Sequence, residues 1–474
     1  MTEQELKLVI EQKNAAIIAP AGHGKTEMIT ELVKCGTRRQ LLLTHTNAGV
    51  DVLRKRLVKY QVPSTSYHIS TIAAFCTGWC FAYPKVAGFD IRLSPSREQA
   101  KEYYSQLYAG AGLIFQQKWA LRVLANTYEG IVVDEYQDCL IDQHKIFIAM
   151  NEILPVRVLG DPLQGIFGFA GTLVDWDNLG FQVVDIETRP WRWQKTNPEL
   201  GEQLAILREN LLPILKGETC SVDLCRHSNV VTIVSPSVVD SNQYSLINEV
   251  RSFSSVAFIT QWERSQISFC KSAPGVFQVD EKVDCNELFD FAAKFDAESN
   301  ERLMLSIIEF GKKCATGVSS ELSTIIKRVE NGVIDFSRIK KHAKFCDLLR
   351  KANQSRAIID ICNALLWFEE QKEFKFYRKE LYKEMIRSLK YAILHDCSVL
   401  EAASQIRKET SLYRSRFGYR YLSSRTLLSK GLEFDCVIID MRQPLKARDF
   451  YVAMTRAMRK IYVITSSPVI QFSE

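Results

Sequence analysis

The sequence predicts an α/β protein with two parallel-sheet domains. Strand and helix alternate through the first 60 residues, with apolar strands at residues 14–19 and 40–43 and helices at residues 25–35 and 47–59. Similar apolar, β-branched strand patterns recur at residues 130–134, 156–160, 230–235, 256–259, 436–440 and 461–465. Repeated strand–loop–helix units build parallel sheets that helices cover.

Two helical insertions are predicted to interrupt these domains. Residues 81–127 are mostly helical and contain several prolines and glycines, and residues 285–412 are almost entirely helical. Apolar residues at three- and four-residue spacing mark one amphipathic helix in the longer insertion: Ile358, Ile361, Cys362, Leu365 and Leu366. The expected domains are residues 1–80 with 128–182, and residues 183–284 with 413–474.

The composition is that of a globular protein, with 46% hydrophobic and 24% charged residues among 474. A net charge of +6 is compatible with a nucleic-acid partner but does not demand one. No apolar run reaches the roughly 20 residues of a membrane helix, and the N-terminus lacks the layout of a secretory signal. The thirteen cysteines show no zinc-ligand spacing, so we expect reduced thiols, no structural metal and a cytoplasmic location.

A glycine-containing loop follows the first predicted strand. Residues 19–26 read Ala-Pro-Ala-Gly-His-Gly-Lys-Thr, and the next helix opens at Lys25. In such a loop the backbone N–H groups point at phosphate oxygens, the lysine adds charge near the β- and γ-phosphates, and Thr26 ligates Mg²⁺. The loop therefore predicts an ATP and Mg²⁺ site. The other residues expected around the phosphates are Ala21, Gly22, His23 and Gly24.

A pair of carboxylates ends a later strand. Asp134 and Glu135 follow the apolar run 131–133, and Gln137 and Asp138 come directly after them. Because the carboxyl ends of parallel strands share one edge of a sheet, the pair should lie beside the phosphate loop. We expect Asp134 to hold Mg²⁺ through water and Glu135 to orient and deprotonate the attacking water. An acidic turn with no catalytic role is the alternative interpretation.

Taken in order, these segments resemble those of superfamily-one helicases of the UvrD/Rep type. The resemblance continues through Gly-Asp-Pro-Leu-Gln at 160–164, Lys-Gly-Leu-Glu-Phe at 430–434 and Val-Ala-Met-Thr-Arg-Ala at 452–457. It implies two RecA-like domains that bind ATP and Mg²⁺, and translocation on single-stranded or partly duplex DNA in the 3′ to 5′ direction. DNA repair or antiviral defence is the implied setting.

The resemblance also implies roles for individual residues of the ATP site. Gln4, twenty-one residues before Lys25, would read adenine, and Gln164 would sense the γ-phosphate. Pro-Trp-Arg at 190–192 stands where the family has Asn-Tyr-Arg. The remaining implied roles are adenine stacking by Trp191, γ-phosphate contact by Arg192, ribose contact by Glu433 and an arginine finger at Arg456.

The strand-binding segments depart from the family. Residues 44–49 read Thr-His-Thr-Asn-Ala-Gly where the family has Thr-Phe-Thr-Asn-Lys-Ala, so His45 and Ala48 replace a phenylalanine and a lysine. A family arginine is Ala170 here, and a family histidine is Leu427. These departures put processive unwinding in doubt while ATP hydrolysis looks intact. The residues still implied to contact DNA are Thr44, Thr46, Asn47 and Phe169, the last by base stacking.

A basic stripe is a second candidate for DNA contact. Six cations fall in a narrow sector of one predicted helix: Lys372, Lys375, Lys379, Lys383, Arg387 and Lys390. Residues expected on the buried side are Phe374, Leu381, Met385, Leu389 and Ile393. Such a face can track phosphates. An ordinary solvated helix surface is the alternative.

Compact chains of this kind also resemble the helicase-like B subunit of the Gabija antiviral system, which implies a nuclease-bearing protein partner. Two other functions stay open beside the DNA motor. One is a regulatory ATPase subunit that gates a partner nuclease without unwinding DNA. The other is a small-molecule phosphotransferase, which would leave the segments beyond residue 400 without a role.

Overall fold

The protein folds into two six-stranded sheets flanked by helices, which confirms the predicted α/β class and is consistent with two RecA-like domains. A computed structural model describes residues 2–93, 99–168, 171–281, 286–413 and 419–473, without the side chains of Ala48 and residues 408–413. In the described part of the chain, no helix combines the length and apolar character needed to cross a membrane.

The first sheet has the strand order β3-β2-β4-β5-β1-β6, and its neighbouring strands are parallel. Its strands are β1 (Asn14–Ile18), β2 (Gln40–Thr44), β3 (Tyr67–Thr71), β4 (Gly130–Val133), β5 (Val156–Gly160) and β6 (Gln182–Val183). The sequence predicts β1, β2, β4 and β5 correctly. It misses the edge strands β3 and β6, because β3 is only partly buried and β6 has two exposed residues.

The helices of this region connect the strands and form a cluster beside the sheet. They are α1 (Glu3–Glu11), α2 (Lys25–Cys35), α3 (Asn47–Lys59), α4 (Ile72–Ala82), α5 (Pro84–Ala87), α6 (Ala100–Phe115), α7 (Lys118–Thr127), α8 (Ile141–Asn151) and α9 (Pro198–Leu211). Arg157 on β5 donates hydrogen bonds to the carbonyls of Val9 and Ile10, which ties the end of α1 to the sheet.

The second sheet has the order β10-β13-β9-β14-β15-β8. The remaining strands of the chain are β7 (Cys220–Asp223), β8 (Val231–Val234), β9 (Val256–Thr260), β10 (Gln278–Val279), β11 (Ala315–Thr316), β12 (Lys375–Phe376), β13 (Tyr421–Arg425), β14 (Phe434–Asp440), β15 (Ala457–Ile464) and β16 (Val469–Phe472). β11 with β12, and β7 with β16, form two small antiparallel sheets. The sequence does not predict β13, because its central residues are serines.

The later helices surround the second sheet and fill the longer insertion. They are α10 (Pro236–Val250), α11 (Glu263–Ser272), α12 (Asn286–Ala297), α13 (Asn300–Cys314), α14 (Val318–Glu321), α15 (Ser323–Glu330), α16 (Ala343–Ser355), α17 (Ile358–Leu366), α18 (Lys379–His395), α19 (Val399–Tyr413), α20 (Thr426–Ser429) and α21 (Ala447–Met454). The amphipathic helix predicted from Ile358 onward is α17.

The chain divides into two compact units. The first comprises Met1–Ile233, Ser429–Ile439 and Pro444–Glu474, and the second comprises Val234–Leu428 and Asp440–Gln443. The first unit contains every described residue of the predicted ATP site. The second contains the predicted basic stripe.

The second unit has an apolar interior formed by its helices, and α18 is buried there on most sides. Phe310, Phe345, Leu365 and Met385 are among its fully buried side chains. A buried ion pair between Arg378 and Glu281, with Nη2 and Oε2 2.6 Å apart, precedes α18. Because the apolar face and this pair fix the helix, the cations at its surface are held in a defined row.

Part of the predicted stripe is wrong. Lys372 and Lys375 precede α18, which begins at Lys379, so they do not belong to the same helix as the other four cations. Ile393, expected to be buried, is 40% exposed. The helix starts later than expected because Lys375 and Phe376 form the short strand β12.

Candidate nucleotide-binding site

The phosphate loop connects β1 to α2 as the sequence predicts. Gly24 precedes α2 with a positive φ of 89°, and Gly22 has a φ of 70°. A Cβ on Gly22 would lie 2.7 Å from the Trp193 ring, and one on Gly24 would lie 3.2 Å from Trp191. Both glycines are therefore required by backbone conformation and by close packing.

Two side chains act within the loop itself. Lys25 is buried, and its ammonium donates hydrogen bonds to the carbonyl of Ala19 at 2.8 Å and that of Pro20 at 3.5 Å. His23 donates from Nδ1 to the carbonyl of Ala21 at 2.7 Å. Burial lowers the pKa of His23, so the ring is neutral and helps to shape the loop without adding charge.

Asp134 and Glu135 follow β4 at the sheet edge from which the phosphate loop also emerges. Glu135 has a φ of 57°, a left-handed conformation that costs free energy for a residue with a side chain. Its carboxylate accepts a hydrogen bond of 2.6 Å from Gln137. Asp134 accepts one from the backbone N–H of Glu135 at 2.9 Å. The strained turn thus fixes both carboxylates at the expected position.

The pKa values of the two carboxylates are shifted in opposite directions. Burial and the neighbouring charge of Glu135 raise the pKa of Asp134 to about 7. Burial acts in the same direction on Glu135, but the positive charges of Lys430 and Lys25 outweigh it and hold its pKa at about 2. Glu135 is therefore ionised at neutral pH, as a general base must be.

Lys430 supplies much of that positive charge. Its ammonium forms an ion pair with Asp138, lies 3.6 Å from a Glu135 oxygen and donates to the carbonyl of Gln164 at 2.8 Å. The ammonium also lies 5.4 Å from the centre of the Phe167 ring. Burial raises the pKa of Asp138 to about 6 although Lys430 opposes the shift. Lys430 thus balances the negative charges of Glu135 and Asp138.

Two arginines bring positive charge to the same compact unit. Arg456 is 2% exposed, and its Nη2 lies 3.4 Å from Oε1 of Gln164. Arg192 pairs with Glu433 at 2.9 Å and donates to the carbonyl of Thr455 at 2.8 Å. Burial and the charge of Arg192 lower the pKa of Arg456 to about 10. An anion placed beside these guanidiniums would therefore be stabilised.

Two tryptophans flank the loop with different surroundings. Trp193 is 1% exposed, and its indole donates to the carbonyl of Ala457 at 2.6 Å. Trp191 remains 51% exposed beside Gly24, which leaves ring surface for a stacked base. Gln4 is exposed in the first turn of α1.

These residues fit ATP with Mg²⁺. The donors are a glycine loop at a helix N-terminus, one lysine and two arginines, which together suit a polyphosphate. A buried Asp138 oxygen has no hydrogen-bond partner among the described residues. Within that part of the chain, no three His, Cys, Asp or Glu side chains are arranged to hold a metal by themselves. Mg²⁺ commonly takes only one or two protein groups beside phosphate oxygens, and Asp134 with Thr26 can supply these.

The residues predicted to contact DNA are placed less completely. Thr44 is buried at the end of β2, whereas Thr46 and Asn47 are exposed where α3 begins. The Thr46 hydroxyl accepts from the N–H of Gly49 at 3.0 Å and so caps α3. Phe169 and Ala170 lie outside the described residues, as does the side chain of Ala48.

The basic row that remains on α18 is Lys379, Lys383, Arg387 and Lys390. All four side chains are exposed, whereas every other residue from 379 to 390 is buried. The solvent-facing surface of this stretch is therefore entirely cationic. We call these four residues the α18 basic row.

Three site residues received no role from the sequence. Lys430 belongs to the Lys-Gly-Leu-Glu-Phe segment, but its position next to Glu135 depends on the fold. Asp161 belongs to the Gly-Asp-Pro-Leu-Gln segment, and its side chain is a fully buried hydrogen-bond acceptor. Arg208 of α9 pairs with Asp161 at 3.3 Å, and no motif surrounds it. Spacing alone could not have revealed it.

Comparison with known proteins agrees with the geometry of the first unit. A family model described as an AAA domain matches residues 2–170. That span includes the phosphate loop, the carboxylate pair and Gln164. No curated protein was found to match the chain. The family match indicates a helicase-type P-loop nucleotide-binding domain over residues 2–170.

Proposed function

We propose that the protein is a Mg²⁺-dependent ATPase that single-stranded DNA stimulates and that translocates 3′ to 5′ as a UvrD-like helicase. One observation supports the ATPase activity most directly. The first compact unit contains all the residues assigned to this chemistry, namely Lys25, Glu135, Gln164, Arg192 and Arg456. A phosphate-binding lysine, an ionised base and two arginines are the parts that phosphoryl transfer needs.

In this proposal Asp134 and Thr26 would hold Mg²⁺, which would neutralise phosphate charge when bound. The protein residues position and deprotonate the attacking water. Glu135 takes the proton from the attacking water, since its low pKa keeps it ionised and Gln137 fixes its orientation. Lys25 and the backbone of Gly22 and Gly24 hold the phosphates. Arg456 stabilises negative charge at the transferring group, a contribution worth about 10³–10⁵ in rate for arginine fingers.

The nucleotide base and ribose are assigned to residues around the loop. Trp191 offers an exposed ring for adenine, and Gln4 lies on the helix that precedes β1. Glu433 is about half exposed and pairs with Arg192. We infer that it binds the ribose and links sugar recognition to the γ-phosphate residues.

The proposal of a DNA partner rests on the positive charge of the α18 basic row and on the exposed residues at the start of α3. The α18 basic row can contact successive phosphates, and Thr46 and Asn47 are exposed for strand contact. Phe169 remains a proposed stacking residue. A nuclease-bearing protein partner and a Gabija-like role in antiviral defence remain proposals of the same kind, as do the predicted domain boundaries.

A regulatory ATPase that gates a partner nuclease is the second candidate. The observation that favours it is His45 at the position of the family phenylalanine, beside Cys139 at 3.4 Å, in the strand-binding segment. ATP hydrolysis measured with and without single-stranded DNA distinguishes the two. Strong stimulation by DNA alone supports the motor. A rate that ignores DNA but rises with a protein partner refutes it in favour of the gate.

A further inference from the structure

A buried carboxylate connects the phosphate loop to the proposed γ-phosphate sensor. Asp161 is 0% exposed. Its Oδ2 accepts from the backbone N–H of Ala21 at 3.2 Å, from Nε2 of Gln164 at 3.0 Å and from the hydroxyl of Tyr451 at 3.1 Å. Its Oδ1 accepts from Nη2 of Arg208 at 3.3 Å. The backbone N–H of Leu163 also donates to Oδ1 at 3.3 Å. One carboxylate therefore accepts five hydrogen bonds and connects Ala21, Tyr451 and Arg208 to its own segment.

Arg208 is the positive partner of this carboxylate. It projects from α9, is 9% exposed and also reaches Glu209 at 3.5 Å. An ionised carboxylate without access to water requires a countercharge or full hydrogen bonding. Removing the guanidinium would take away the countercharge of Asp161 and leave its Oδ1 with the backbone N–H of Leu163 as donor among the described residues. The carboxylate would then be held less firmly, which would weaken its bonds to Ala21 and Gln164.

The carboxylate also decides how Gln164 is oriented. The amide nitrogen of Gln164 faces Asp161, so its oxygen faces Nη2 of Arg456 at 3.4 Å. If Asp161 no longer accepts from the nitrogen, the carboxamide is free to rotate. Both the loop and the sensor thus depend on one ion pair.

A cavity of about 200 Å³ lies next to this ion pair in the first unit. It is lined in part by Pro20, His23, Trp193, Arg208 and Tyr451. The Nε of Arg208 is buried without a hydrogen-bond partner among the described residues. The guanidinium is therefore held by its contacts with Asp161 and Glu209, and it borders the cavity on another side.

We propose that Arg208 is a positioning residue for nucleotide turnover. Through Asp161 it fixes the phosphate loop at Ala21 and points the Gln164 carboxamide at Arg456, so that the site distinguishes a triphosphate from a diphosphate. This assignment rests on the proposed ATPase function of the site. Arg208 touches no reacting atom and acts only through Asp161.

The test compares the affinities for ADP and for a slowly hydrolysed ATP analogue in Arg208→Met, Arg208→Lys and the wild-type chain. Arg208→Met should reduce the preference for the triphosphate by about fivefold or more and lower kcat by about tenfold, with ADP affinity changed less than about threefold. Arg208→Lys should restore part of the preference. Arg226→Met is the matched control, because Arg226 is exposed in the same unit.

A wild-type triphosphate preference in folded Arg208→Met would overturn the proposal. If Arg208→Met fails to fold, Arg208→Gln decides, because it keeps a polar N–H donor on α9 but removes the countercharge of Asp161. That variant should lower the preference about twofold to threefold, and unchanged values would overturn the proposal. A wild-type chain that prefers triphosphate but never hydrolyses it refutes the ATPase while leaving the positioning role measurable.

Discussion

Replacing His45 by phenylalanine should make the protein less sensitive to acid. Burial and the charge of Lys430 lower the pKa of His45 from 6.5 to about 3. In the unfolded chain the ring regains its ordinary pKa, so between about pH 3 and 6.5 the unfolded state binds a proton that the folded state does not. The stability that the neutral ring contributes is fully present above the unfolded pKa and is lost progressively as the pH falls from that value to the folded pKa.

The size of this effect follows from the unfolded pKa and the measuring pH. Proton binding stabilises the unfolded state by about 1.4 kcal/mol for each pH unit below 6.5. The free energy of unfolding at pH 5 is therefore lower than at pH 7 by about 2 kcal/mol. The exact folded pKa hardly matters while it stays well below 5. Because the His45 ring is partly exposed, its pKa shift is discounted, and we expect the free energy of unfolding to fall by about 1–2 kcal/mol between pH 7 and pH 5.

Urea unfolding of the wild-type chain and of His45→Phe at pH 7 and pH 5 measures this difference. The wild type should lose about 1–2 kcal/mol more than the variant on acidification. Titration of Asp134 and Asp138 in the same range is common to both proteins and cancels in the comparison. Identical losses in the two proteins would refute the argument that His45 is held neutral.

Two further predictions concern binding. Lys25→Ala should weaken ATP binding about tenfold to a hundredfold, because charge-assisted hydrogen bonds to phosphate are lost, and calorimetry showing full affinity would refute the phosphate-loop assignment. Replacing Lys379, Lys383 and Arg387 by glutamine should reduce the slope of log affinity for single-stranded DNA against log salt by about two to three. The control replaces three other exposed cations of the second unit by glutamine. An unchanged slope in the α18 variant would mean that the α18 basic row is an ordinary solvated surface that does not contact DNA.

The sequence predicts most of the first sheet, because its central strands are apolar runs that end in chemically distinctive residues. β1 leads directly into the glycine loop, and β4 ends at Asp134. Parallel pairing then brings those ends to one edge. The positions of the phosphate loop and the carboxylates therefore follow from the sequence alone.

The remainder depends on contacts that no local pattern encodes. Lys430 and Glu135 are 295 positions apart in the sequence, yet their side chains lie 3.6 Å apart. Arg208 lies on an ordinary amphipathic helix and is distinguished only by its contact with Asp161. The predicted stripe is too long because β12 interrupts the helical pattern before Lys379. These features arise from tertiary packing.

The central claim is that Glu135 is the base of an ATP-hydrolysing site. The most direct measurement compares ATP affinity and hydrolysis by the wild type, Glu135→Gln and the exposed control Glu152→Gln, each with and without single-stranded DNA. We expect wild-type ATP affinity for Glu135→Gln with hydrolysis reduced about a hundredfold or more, since general-base catalysis contributes about 10²–10⁴. Hydrolysis by Glu135→Gln at the wild-type rate would contradict the assignment of Glu135 as the base.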